Sequence, residues 1–143
     1  MTETTGRPLH HINFVVDDLE AATERFTHVL GTVPRDIEYL PKRQVALRRF
    51  WLGNVWFILV APTADESPAA AWLKQHGPGL FLMSFEVEAL DQALQQLSEA
   101  GVSADGRVRR GLDDWQVVDL DRDQLFGIPV QLTQVTQQEQ GSA

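Results

Sequence analysis

The chain has 143 residues, 43% of them hydrophobic and 22% charged, with a formal net charge of −8. That length and apolar share predict one folded domain with a real core, and the acidity argues against a nucleic-acid binder, which needs a basic face toward phosphate. With no cysteine, disulfides, thiolate metal sites and cysteine nucleophiles are excluded.

Residues 1–7 are polar and lack an apolar h-region, and no apolar run is long enough to span a bilayer. A cytoplasmic protein with neither a membrane nor a nucleic acid as partner is expected. Residues 10–16 alternate and are rich in β-formers, which predicts a strand. Asp17 and Glu20 then have capping-box spacing before a helix that runs to about Leu30 and stops at Gly31. Residues 32–39, 44–52 and 55–61 give three more strands, divided by Pro41-Lys42 and by the Gly53-Asn54 turn. The first unit is βαβββ. A helical connector follows from Asp65 to about Gln75, with Ser67 as cap and Pro68 in the first turn, ended by Gly77-Pro78-Gly79.

The pattern then starts again. Residues 80–87 read as a strand, and 90–100 as a helix with Leu90, Ala93, Leu94 and Leu97 on one face, stopped by Gly101. Ile12-Asn13-Phe14-Val15-Val16 aligns with Met83-Ser84-Phe85-Glu86-Val87, and Leu30-Gly31 with Ala100-Gly101, a repeat of about 70 residues. Residues 102–109, 115–120 and 127–133 supply the last three strands. One βαβββ unit cannot cover its own sheet, so the two are expected to share a core. The predicted fold is α+β: two βαβββ modules forming a cupped eight-stranded mixed sheet, with the ligand in the concavity. A ferredoxin-like sandwich needs fewer strands than the sequence offers. The expected organisation is a single domain over 8–134, with module one at 8–62, the connector helix at 63–78 and module two at 79–134. Residues 1–7 and 135–143 read as flexible tails.

The duplication, with His11-Ile12 opening the first strand and Val16-Asp17-Asp18-Leu19 after it, resembles the vicinal-oxygen-chelate superfamily. That superfamily includes glyoxalase I, bleomycin-resistance proteins, extradiol dioxygenases and methylmalonyl-CoA epimerase. The epimerase-like features are Ala61-Pro62, Asp65-Glu66-Ser67, Ala71-Trp72-Leu73 with His76, and Gly79-Leu80. Leu120-Asp121-Arg122-Asp123 before Gly127 and Val130-Gln131-Leu132 looks like the family's closing hairpin. The resemblance implies a divalent metal held by one residue from each of four strands, at His11, Ile58, Leu82 and Gln131. Ile58 and Leu82 have no donor atom, so a weak remnant of His11 and Gln131 is left, and no cofactor is expected, with weak divalent metal binding left open. The epimerase's acid/base glutamates would fall at Gln131 and near Ala46, neither of which can take a proton.

If His11, Ile58 and Gln131 face inward, alternation also turns Asn13, Val15, Trp56, Val60, Pro129 and Thr133 into the cup, with Ser84 and Glu86 on the fifth strand. An inward Ala46 implies inward Arg48 and Phe50, although a bulge would put Arg49 there instead. Arg48 is either a grip for a carboxylate or phosphate or a solvated arginine at a strand end. Glu86 is either a buried base or a rim residue. His11 is either a general base or remnant ligand, or a group hydrogen-bonded to Gln131. His10 points the other way, toward a helix, and His76 suits the C-terminus of its own helix. Trp56 or Trp115 could stack a planar ligand, while Trp72 reads as core. Arg107, Arg109, Arg110, Lys42 and Arg43 would meet coenzyme A phosphates, or are ordinary strand-edge charges.

Two functions follow. One is an enzyme without a full metal site, carrying out proton transfer, isomerisation or lyase chemistry on a carbonyl or acyl-thioester substrate. His11 and Glu86 would be catalytic, and Asn13, Arg48, Trp56, Ile58, Leu82, Ser84 and Gln131 would bind substrate. The other is a non-catalytic small-molecule binder of the drug-sequestering kind. The resemblance also implies a homodimer and an anionic or CoA-thioester ligand.

Overall fold

The computed structural model describes residues 5–135, and the outermost parts of both expected tails, 1–4 and 136–143, lie outside the described residues. Eight strands build the mixed sheet, in hydrogen-bonded order β2-β3-β4-β1 in one half and β5-β8-β7-β6 in the other. The described chain divides into two compact units, His11–Phe81 and the remainder. Among the described residues no helix is long and apolar enough to cross a membrane.

In the first half, β1 (Leu9–Val15) leads into α1 (Leu19–Leu30), then β2 (Glu38–Leu40), β3 (Val45–Trp51), β4 (Trp56–Pro62) and α2 (Pro68–His76). Asp18, one residue after the expected position, caps α1 by accepting from the Ala21 amide at 3.0 Å, and Gly31 ends the helix at φ 71°, a left-handed conformation that costs glycine little. Ser67 Oγ caps α2 through the Ala70 amide at 3.0 Å, with Pro68 in the first turn. The expected strand over 32–39 shrinks to Glu38–Leu40. Pro34 has no N–H to give a ladder, and beyond it the Arg35 amide reaches back to Arg49 O at 3.0 Å. β1 runs parallel to β4, while β2, β3 and β4 are antiparallel neighbours. One face of this half-sheet packs on α1, where Phe26 tilts onto Phe57 and Phe57 also meets Phe14 and Phe50.

The second half repeats the path with β5 (Gly79–Glu86), α3 (Leu90–Glu99), β6 (Ala104–Arg110), β7 (Gln116–Leu120) and β8 (Val130–Gln134), joined by short 3-10 helices at Leu112–Asp114 and Arg122–Leu125. β5 runs parallel to β8, as β1 does to β4, and β6, β7 and β8 are antiparallel. Its core is Val87, Leu90, Ala93, Val118, Leu120 and Leu132, which lie between α3 and one sheet face. Ala89 offers α3 no side-chain cap; the Leu90 amide donates instead to Gln134 Oε1 at 2.7 Å, a cap supplied from β8.

Candidate functional site

With α1 on one face of the first half-sheet, strand register fixes what the other face carries. His11 lies opposite Trp56, Asn13 opposite Ile58 and Val15 opposite Val60, and β3 adds Trp51, Arg49 and Leu47 beside those same three β4 residues. Glu38 on β2 is the neighbour of Leu47. The face is closely packed and mixes apolar with buried polar side chains. Arg49 is 1% exposed, and its Nε and Nη2 donate to the two Glu38 oxygens at 2.8 and 3.2 Å. Its guanidinium lies 4.7 Å from the Trp56 ring centroid, a cation–π contact, and Arg35 lies 5.6 Å from the same ring. His11 is buried beside it. Two buried polar atoms here, Trp56 Nε1 and Asn13 Oδ1, have no hydrogen-bond partner among the described residues. Buried polar groups are normally satisfied, so each is an explicit demand for a partner.

Arg48 is not on this face, which corrects the expectation for it. β3 pairs with β4 without a break from Val45 to Trp51, so no bulge shifts the alternation, and Arg49 is the residue opposite Ile58. Arg48 shares the α1 side with Ala46 and Phe50, and its Nε donates to Arg35 O at 2.8 Å. Anchoring the strand on Ala46 placed every side chain one residue out. His10 packs edge-on against Trp115, with ring centroids 4.5 Å apart. Trp115 is thereby a packing residue, and Trp72 likewise meets His76 and Phe81.

The second half-sheet, on the face away from α3, carries Ser84 opposite Gln131, Glu86 opposite Thr133, and Leu82 by alternation. β7 adds Asp119 beside Gln131 and Val117 beside Thr133, and β6 adds Arg109 beside Val117. The Ser84 and Thr133 hydroxyls are buried and hydrogen-bonded to each other. Gln131 Nε2 donates to Asp119 Oδ1 at 3.2 Å, and Arg109 grips the same carboxylate with Nη1 at 3.1 Å and Nη2 at 3.3 Å. Gln131 is 3% exposed and its Oε1 has no partner among the described residues. Glu86 and Leu82 are half-buried. Glu38 and Asp119 were missed in the sequence, and Arg109 was read as a phosphate contact or an edge charge. The available signal was a lone acid inside an otherwise apolar strand, Val117-Val118-Asp119-Leu120.

The donor set can be tested against a divalent ion. Of the four positions the resemblance implies, His11 offers an imidazole nitrogen and Gln131 an amide oxygen, while Ile58 and Leu82 are hydrocarbon. Among the described residues no three His, Asp or Glu side chains are grouped to hold a metal. The residues present do not fit the four-ligand pattern, because two of its places have nothing to coordinate with.

Comparison with known proteins places this geometry. Residues 10–118 match the sequence profile of the Glyoxalase/Bleomycin resistance protein/Dioxygenase superfamily. An ethylmalonyl-CoA/methylmalonyl-CoA epimerase from Cereibacter sphaeroides is 30% identical over 130 residues, covering 89% of this chain and 97% of that one. The crystal structure of methylmalonyl-CoA epimerase from Mycobacterium tuberculosis superposes with a TM-score of 0.86 at 23% identity, covering 96% of this chain and 94% of that one. A variant of the Streptomyces coelicolor methylmalonyl-CoA epimerase, in complex with 2-nitronate-propionyl-CoA, gives a TM-score of 0.81 at 21% identity over 92% of this chain and 96% of that one. The repeated βαβββ path, the matched profile and these likenesses lead to one conclusion: the chain belongs to the glyoxalase/bleomycin resistance protein/dioxygenase superfamily and is similar within it to the methylmalonyl-CoA epimerases.

Proposed function

We propose that the protein is an epimerase-like isomerase that moves a proton at the carbon next to the carbonyl of an acyl-CoA thioester, without a full divalent metal site. The observation that carries this reading is His11 on β1 lying opposite Trp56 on β4, whose buried indole N–H has no partner among the described residues. Removing such a proton leaves negative charge on the thioester oxygen. An imidazole can accept the proton near neutral pH, and a preorganised N–H can hold the oxygen where that charge develops. Arg49 stacked on the indole adds positive charge beside that donor. Inversion needs a second proton carrier besides the imidazole, and Glu86 is assigned that role. Asn13, Ile58, Leu82, Ser84 and Gln131 contact the substrate, and the reading keeps the protein a cytoplasmic homodimer. The epimerase names of the relatives support the substrate class.

The test is deuterium exchange into methylmalonyl-CoA in heavy water, followed by mass spectrometry, with and without chelator. Exchange is expected to survive chelation and to fall by roughly a hundredfold or more in His11→Ala and Glu86→Gln, the size typical of a lost acid/base group. Exchange that is lost with chelator and restored by a divalent ion would overturn the metal-poor part. Ile58 and Leu82 favour a second reading, since hydrocarbon at two of the four expected ligand positions suits a binding protein. Binding of methylmalonyl-CoA with no exchange in the unmodified protein selects that one.

A further inference from the structure

We infer that Asp119, clamped by Arg109, is a positioning residue that locks the Gln131 amide in one orientation and so makes this part of the site an acceptor for a hydrogen-bond donor of the ligand. Asp119, as a carboxylate, can only accept. The Gln131 group facing it must therefore be the NH2, which is what the 3.2 Å contact from Nε2 to Oδ1 records. The two Arg109 bonds keep the carboxylate from turning away. The consequence falls on the other end of the amide. Oε1 is left buried, on the helix-free face, with no partner among the described residues. Across the ladder the Ser84 and Thr133 hydroxyls bond to each other, and neither is a partner of Oε1.

A ligand that completes this arrangement presents a hydroxyl, an amide N–H or an undissociated acid to Oε1. A carboxylate oxygen there would face another oxygen. An unlocked glutamine would accept either kind of group by flipping its amide, so the Arg109–Asp119 pair turns an indifferent side chain into a selective one. The inference rests on the proposed reading only in taking this face as the ligand face.

Two measurements test it. The first needs no ligand: hydrogen exchange of the Gln131 side-chain NH2, identified by the resonance pair missing in Gln131→Leu. Strong protection is expected in the unmodified protein, falling by about tenfold or more in Asp119→Asn, whose amide no longer dictates an orientation. A pair that is unprotected, or equally protected in Asp119→Asn, overturns the lock; an ion pair that merely braced the sheet would give the latter result. The second compares binding of malonyl-CoA with its terminal carboxamide analogue. The unmodified protein is expected to favour the carboxamide by about tenfold, the order of one buried donor–acceptor match, and Asp119→Asn to bring the ratio near one. A ratio unmoved by that change overturns the selectivity. If neither probe binds, the acyl-CoA reading fails, and the exchange measurement alone decides the lock.

Discussion

On the first half-sheet the edge strand supplies the acid and the inner strand the base, Glu38 reaching Arg49; on the second the signs are exchanged, Arg109 reaching Asp119. The positions correspond. Glu38 lies opposite Leu47 and Arg109 opposite Val117, while Arg49 lies opposite Ile58 and Asp119 opposite Gln131. A repeated topology thus fixes where a cross-strand pair forms on the helix-free face, and leaves its polarity free. The difference lies in burial. Arg49 is 1% exposed with Glu38 at 30%, whereas Arg109 and Asp119 are 29% and 37% exposed. The first pair is a buried cation held against an indole, and the second is a half-solvated clamp whose product is an oriented amide.

That contrast predicts unequal costs of breaking each pair. Glu38→Ala takes the bidentate carboxylate from a buried guanidinium and should destabilise the protein by about 3 kcal/mol, the low end for breaking a buried pair because Glu38 itself is partly solvated. Urea unfolding of the variant would show it; a loss under about 1 kcal/mol would mean that Arg49 is held mainly by Trp56 and its other contacts. The Trp56 fluorescence should shift in the same variant, since the cation over its ring would move.

The helices differ between the halves as well. α1 is capped by its own Asp18, and α3 by Gln134 from another strand. Asp18→Ala should cost about 1 kcal/mol, the usual size of an N-cap loss. Ala89→Asp should recover a few tenths of a kcal/mol at most, because the first free amide of α3 already has an acceptor. Thermal unfolding of the two variants checks the ordering; equal and opposite shifts would contradict it.

The outline of both halves was legible because strand, helix and glycine stop recur at one spacing, and because His11, Asn13, Trp56 and Ile58 fall on one face by simple alternation. β3 defeated the same rule for a physical reason. Val45, Ala46, Leu47, Arg49 and Phe50 are all buried, so both faces of that strand are filled and no period of two shows in the sequence. Choosing between Arg48 and Arg49 required the register with β4. The two ion pairs were hidden for a related reason. Their partners are 11 and 10 residues apart across hairpins, and one bulge or a one-residue slip would have separated them.

The smallest effect belongs to the second pair. Arg109→Ala removes two bonds between partly exposed groups, so stability should change by less than about 1 kcal/mol. Gln131→Met then gives the sharper comparison: it loses one hydrogen bond worth about 1 kcal/mol but also removes a buried oxygen whose unmet demand costs about as much or more. The variant should be as stable as the parent, or slightly more so, while binding its acyl-CoA ligand less well. Glu38→Ala would do the reverse, weakening the fold through a residue with no unmet polar atom of its own. A Gln131→Met protein that is less stable by more than about 1.5 kcal/mol would show that Oε1 is already satisfied in the free protein.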